Sequence, residues 1–344
     1  MNLGLNRRVA GTVGVLSAAA LALTACAPEG TTAGGSTGGD VITYRIATID
    51  GIGTPMNSGF DRFIEEVADC SDGRLQGTNY PAGQLGGFID LIDGTRQGTY
   101  EITSGGFDAE AGVAPIVSAL SLGYIFKDEE HVERVISEFM DEMNKEMDEA
   151  TGVTIIAMGE DGWRWTFSSK PINSIDDLAG VKIRVPESEI PLGVWGKLGA
   201  SATPVPFTEI YNSLETGVIE AGESALAQID ANAFWEPAPN LVNSKHWFNI
   251  KPIRANSAWF NSLDADLQNC LTTVGEKVFG EVRAESRAIE AETLEKLKGL
   301  GVTIADEPSD LDVWEARAAE YNKEYFAKYP GSEEFINKVL ELAK

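Results

Sequence analysis

The sequence predicts a two-lobed α/β fold, and three features of it carry that expectation. Short apolar runs alternate with helix-like segments through residues 161–224, and parallel strands need such helical crossovers. The same alternation occurs earlier, between residues 41 and 107. Strand-like stretches at 153–167 and 246–253, with an extended helical pattern from Asp264 to about Leu300, are placed to connect the two halves.

In chain order, V-I-T-Y-R-I-A-T-I (41–49) reads as a strand, and the Gly- and Pro-rich D-G-I-G-T-P-M-N after it as a loop. Phe60, Phe63, Ile64 and Val67 fall at helical spacing, stopped by S-D-G at 71–73. Leu85, Phe88, Ile89 and Ile92 repeat that spacing to Gly98, and Y-E-I-T leads into Gly105, Gly106 and Phe107. The loops after these strands carry Asp50 and Phe107. A helix beginning at Asp128 sets Val132, Val135, Ile136, Phe139 and Met143 on one face; Met140, Met143 and Met147 are core residues on this reading.

In K-I-R-V-P, Ile183 and Val185 lie two apart, a strand period closed by Pro186. Glu189–Leu198 is a helix stopped by Gly199, T-P-V-P-F is extended, and Thr208 is placed to cap a helix through Ile210 and Leu214. V-I-E-A-G-E-S then returns as a strand. Ligands of open parallel sheets bind beyond the carboxyl ends of the strands. Arg184, Phe207 and the Glu223–Ser224 pair occupy those ends. The spacing 267, 271, 274, 278, 282 predicts the long helix, and Ser309 and Ser332 are expected to cap two C-terminal helices.

The chain has 344 residues, enough for two ordinary domains. It opens with Arg7 and Arg8, an apolar run from Val9 to Leu23 and L-T-A-C at 23–26, a secretory signal too short for a typical membrane span. The L-T-A-C box resembles the bacterial lipoprotein signal, which implies lipid attachment at Cys26; a plain signal peptide is the alternative. Residues 26–40, nearly all small and polar after Cys26, read as a tether. The formal charge of −26 becomes −28 once residues 1–25 and their two arginines are removed, which argues against nucleic acid as a partner. An anionic solute then needs local arginines. Cys70 and Cys270 remain as an even pair in an oxidising location; a disulfide and two small core residues are both open readings. No cofactor or metal requirement is visible.

Three blocks, G-W-R-W-T-F-S-S-K-P-I, D-D-L-A-G-V-K-I-R-V-P and P-V-P-F-T-E-I-Y-N-S-L-E-T-G-V-I-E-A-G-E-S, resemble the solute-binding proteins of TRAP transporters, the DctP type. S-D-G-R-L, Q-L-G-G and Y-I-F-K-D-E-E-H match further blocks in the same order, so the similarity runs from about residue 42 to about 300. The resemblance implies a periplasmic-binding-protein-like fold, with each lobe a mostly parallel sheet flanked by helices, hinge-crossing strands and a lobe-spanning helix. On that pattern lobe 1 comprises 41–162 and 253–280, and lobe 2 comprises 163–252 and 281–344. It implies a monomeric receptor that closes around a small organic anion and delivers it to TRAP permease subunits.

By the same resemblance Arg184 grips the solute carboxylate and Arg164 lies near the ligand. Phe207 forms an apolar wall, and Trp247 approaches from the second lobe. The family's usual D-G-Q-E-N is here E-A-G-E-S, so Ser224 offers one short hydroxyl in place of an amide. Phe107 stands where sialic-acid-type members have an acid. Together Phe107, Phe207 and Trp247 suggest an aromatic or sulfonated ligand. The rival functions are a binding protein of an ATP-driven importer or sensor, and a two-lobed enzyme; no G-x-S-x-G, H-E-x-x-H, C-x-x-C, Walker or dinucleotide motif supports the latter. His131 and His246 read as structural.

Overall fold

A computed structural model describes residues 40–344. The expected signal (1–25), Cys26 and all of the tether except Asp40 lie outside the described residues. The first half begins β1 (Ile42–Ala47), α1 (Pro55–Cys70), β2 (Leu75–Tyr80), α2 (Phe88–Arg96) and β3 (Ile102–Ser104). Short α3 (Pro115–Ser118) and long α4 (Glu129–Thr151) follow, then β4 (Val153–Ser168). The second half holds β5 (Lys182–Val185), α5 (Glu189–Leu198), β6 (Ser201–Pro204), α6 (Ile210–Glu215), β7 (Ala221–Ala225) and α7 (Leu226–Ala231). The chain ends with β8 (Asn240–Val242), β9 (Phe248–Asn256), α8 (Ser257–Ser262), α9 (Ala265–Gly299), β10 (Thr303–Ala305), α10 (Leu311–Lys328) and α11 (Ser332–Glu341).

The strands run in the order β2-β1-β3-β9-β4-β7-β5-β6. Within each half the neighbours β1/β2, β1/β3, β5/β6 and β5/β7 are parallel. The central strands are antiparallel and continuous across the molecule. Residues Val153–Trp163 of β4 pair with β9, and Arg164–Ser168 pair with β7. The hinge-crossing strands expected from sequence are therefore β4 and β9, and both are buried nearly throughout, including charged Glu160, Arg164, Lys251 and Arg254.

Helix α9 is the second connector. Asp264 caps it by accepting from the Leu267 N–H, and its 35 residues extend about 52 Å at 1.5 Å per residue. Its first half packs Leu271, Val278 and Phe279 into the core beneath β1, where Phe279 meets Phe60 edge-on at 5.0 Å. Its far end places Leu297 in a separate core with Trp165, Phe167 and Ile210. Gly275 lets α9 pack close to β4: a Cβ there would stand 3.0 Å from that of Ala157 and would have to push it aside by a few tenths of an ångström. Cys70, the last residue of α1, is bonded to Cys270 on α9, with Cα atoms 5.8 Å apart.

The local signals that failed were caps. Glu209 occupies the position before α6, and Thr208 lies inside the turn 207–209. Asp310, not Ser309, precedes α10, while the Ser309 hydroxyl donates to the Asn173 carbonyl at 3.0 Å. Ser332 is already the first residue of α11, after Gly331 in the left-handed region. Met143 and Met147 are buried in the core, and Met140 packs against it. The His131 ring accepts from the Lys127 N–H at Nδ1, so Nε2 donates to the Val339 carbonyl, 2.8 Å away.

Candidate functional site

The strand ends of both halves meet at one interior cavity of about 50 Å³, on a measure in which one water needs ~10–15 Å³. Such a space admits only a small guest. Asp50 follows β1, Gly105–Asp108 follow β3, Arg184 lies on β5, Phe207 follows β6, and Ser224 lies on β7. All border the cavity except Phe107.

Arg184 is 3% exposed. Its Nε donates to the Val205 carbonyl at 2.8 Å, and the guanidinium lies 5.7 Å from the centre of the Phe207 ring. Nη1 has no hydrogen-bond partner. Burial pushes this group down to about 10, with Glu223 opposing, so it remains cationic at neutral pH. A guanidinium held by one edge, with a buried donor left over and a cavity in front, is arranged for a bound oxyanion.

Arg164 is placed differently. It makes a bidentate pair with Glu223, its Nη2 donating to Oε1 at 2.8 Å, and it lies over the Trp247 ring at 4.8 Å. Burial acts against the Glu223 carboxylate, but Arg164 and a His246 hydrogen bond of 3.2 Å hold it down at about 2. Burial lowers His246, which also bonds Ser244 at 2.8 Å. Arg164 thus borders the cavity with its charge paired to Glu223, whereas Arg184 has, among the described residues, no carboxylate within ion-pair distance and a buried donor to spare.

Asp50 is likewise occupied. It accepts from Ser104 at 3.0 Å, from Gln228 at 3.0 Å and from Lys251. Lys251 also reaches Asp161 at 3.2 Å, and the two carboxylates raise its pKa against the effect of burial. The Gln228 contact joins the end of β1 to α7, across the crevice.

Phe107 is a correction to the expected site. It begins the turn 107–110 after β3 and is 1% exposed in the main core. That turn carries the next residue, Asp108, to the cavity instead. Asp108, Asp161, Gln228, Asn249 and Lys251 were not among the expected site residues. Two had a signal: Asn249 and Lys251 alternate with the expected Trp247 in H-W-F-N-I-K, so an extended chain puts all three on one face. Asp108 had none, because a one-residue difference in where a turn starts decides which side chain faces inward.

The class that this scaffold and crevice define is the two-lobed solute-binding protein. More narrowly, the chain belongs to the bacterial extracellular solute-binding protein family 7, the DctP family, whose model matches residues 46–329. A solute-binding protein of Roseobacter denitrificans is 35% identical over 214 residues, which is 61% of this chain and 65% of that protein. The sialic acid-binding periplasmic protein SiaP of Vibrio cholerae is 28% identical, over 77% of this chain and 83% of its own. Among solved structures, the sugar acid binding protein DctPAm of Advenella mimigardefordensis, in complex with galactonate, superposes with a TM-score of 0.84 at 26% identity. That match covers 88% of this chain and 98% of that one. A TRAP periplasmic solute-binding protein of R. denitrificans with bound β-D-glucuronate gives 0.83 at 26% identity, covering 87% and 99%. The family is one of small-organic-acid receptors rather than enzymes. Among the described residues no helix is long and apolar enough to cross a membrane.

Proposed function

We propose that this protein is the extracytoplasmic receptor of a TRAP-type transporter and that it binds a small hydroxylated monocarboxylic acid. The carboxylate is received by Arg184, whose unpartnered buried Nη1 is the observation that carries this reading. Phe207 supports the carbon skeleton, and Ser224 adds one hydroxyl beside it. The cavity's polar lining, with Asp108, Asn249 and Lys251, favours a hydroxylated acid over an aromatic or sulfonated compound. The expectation of such a compound leaned partly on Phe107, which is a core residue. Galactonate and glucuronate, bound by structural relatives, are the first compounds to try.

Closure of the two lobes about β4, β9 and α9 excludes water and strengthens the ion pair. The proposed lobe boundaries remain 41–162 with 253–280, and 163–252 with 281–344. Delivery to permease subunits, a monomeric state, and lipid anchoring at Cys26 with 26–40 as tether complete the proposal. Calorimetry of the mature domain against aldonates and uronates tests the ligand class: a sugar acid bound by the wild type and lost in Arg184→Ala is expected. Binding that survives in the variant refutes the assignment. Mass spectrometry of the processed protein from its host tests the anchor, which an unmodified Cys26 removes.

A further inference from the structure

Two buried oxygens on this cavity lack hydrogen-bond partners, and both belong to residues outside the expected site: Oδ2 of Asp108 and Oδ1 of Asn249. The two side chains are 2% and 5% exposed. The orientation of Asn249 is fixed by its neighbour, since its Nδ2 donates to the Asp161 carboxylate at 3.1 Å. Only an amide nitrogen can face that acceptor, so the oxygen must face the other way. Gly106 brings the two acceptors together. A Cβ on Gly106 would stand 2.5 Å from Asp108 Oδ1, the partner of the unpaired Oδ2 in the same carboxyl, and 3.0 Å from Asn249 Oδ1, so the bare Cα is what lets both side chains sit over it. Asp50 offers a contrast: its carboxylate is saturated by Ser104, Gln228 and Lys251.

We propose that Asp108 and Asn249 are the specificity-determining pair of this cavity, a double acceptor that requires hydroxyl donors from the solute and rejects a second carboxylate. The proposal rests on the receptor reading above, in which Arg184 takes the first carboxylate. A buried acceptor left unpaired is costly, so a solute lacking the matching donor loses affinity steeply. A solute presenting a second anion meets two lone-pair-bearing oxygens, and like-charge repulsion from Asp108 wherever that carboxyl, raised to about 7 by burial, is ionised. A hydroxyl suits this position better than an ammonium: burial raises the Asp108 carboxyl to about 7 although the Arg164 charge opposes it, and Lys251 already borders the same cavity.

The test uses matched probes that differ in one terminus: D-galactonate against D-galactarate, and D-glucuronate against D-glucarate, with dissociation constants by calorimetry on the full mature protein. The wild type is expected to prefer the monoacid of a bound pair by about 100-fold or more. Asp108→Asn, close in shape but uncharged, is expected to shrink that preference at least about tenfold. A monodeoxy analogue of the bound acid, measured on the wild type alone, is expected to lose about tenfold or more, which covers the case of a poorly folding variant. An unchanged preference in a folded Asp108→Asn protein, or full affinity for every monodeoxy analogue, overturns the inference and leaves the receptor reading intact. A wild type that prefers the diacids, or that takes amino acids ahead of hydroxy acids, also overturns it. Failure of the wild type to bind any member of either pair removes the hydroxy-acid reading as well.

Discussion

Replacing Arg184 by methionine should move affinity and stability in opposite directions. In the empty protein the guanidinium is buried with one hydrogen bond, to Val205, and an unpartnered Nη1. Burial lowers its pKa from 12.5 to about 10. A base with a depressed folded-state pKa destabilises the fold at every pH below that value, and the penalty fades as pH rises toward the unfolded value. At 1.36 kcal/mol per pKa unit, it is on the order of 3 kcal/mol at neutral pH. Methionine removes that penalty and retains much of the apolar stem packed near Phe207. Binding suffers the reverse, since stripping one partner from a buried charge pair costs about 2–5 kcal/mol, or roughly 30-fold to several thousandfold in Kd. Calorimetry with a bound sugar acid and denaturant melts of the empty protein read the two quantities separately. An unchanged Kd, or a variant several kcal/mol less stable than wild type, refutes this account of Arg184. Lysine at this position keeps the charge but not the fork, so Arg184→Lys should also bind at least about tenfold more weakly.

Glu223, held at about 2 by Arg164 and His246, contributes stability that is complete above its unfolded value of 4.5 and is lost as pH falls through 2. The contribution is on the order of 3 kcal/mol; denaturant melts at pH 7 and pH 3 should show the wild type losing stability that Glu223→Gln has already lost. Replacing Cys70 and Cys270 by serine frees a loop with a sequence separation of 200, and should cost about 2–5 kcal/mol of stability with no change in Kd. A double variant that unfolds at the wild-type denaturant midpoint contradicts this. Gly106→Ala crowds Asp108, Asn249 and a Trp247 ring carbon at 3.2 Å; it should abolish sugar-acid binding while circular dichroism shows the fold retained, and full affinity there argues that the ligand lies elsewhere.

Most of the architecture was determined by the chain's local chemistry. Apolar periods of two and 3.6, broken by Gly and Pro, marked β5, α5 and β7 as well as α9, because the period follows from backbone geometry alone. Arg184 was legible for the same reason: it ends a strand, and strand ends of parallel sheets converge on a crevice. Helix caps were less legible at Ser309, Ser332 and Thr208, where neighbouring residues compete for one position and small backbone differences decide. Only the tertiary structure could settle which charged groups are satisfied. Arg164 and Asp50 were site candidates beside Arg184, yet Glu223 and Lys251, distant in sequence, pair with them. Whether a buried polar atom is free depends on partners brought in by long-range strand pairing, and no local pattern encodes that. The same holds for Asp108 displacing Phe107, since the direction of a side chain at a turn is fixed by the packing around it.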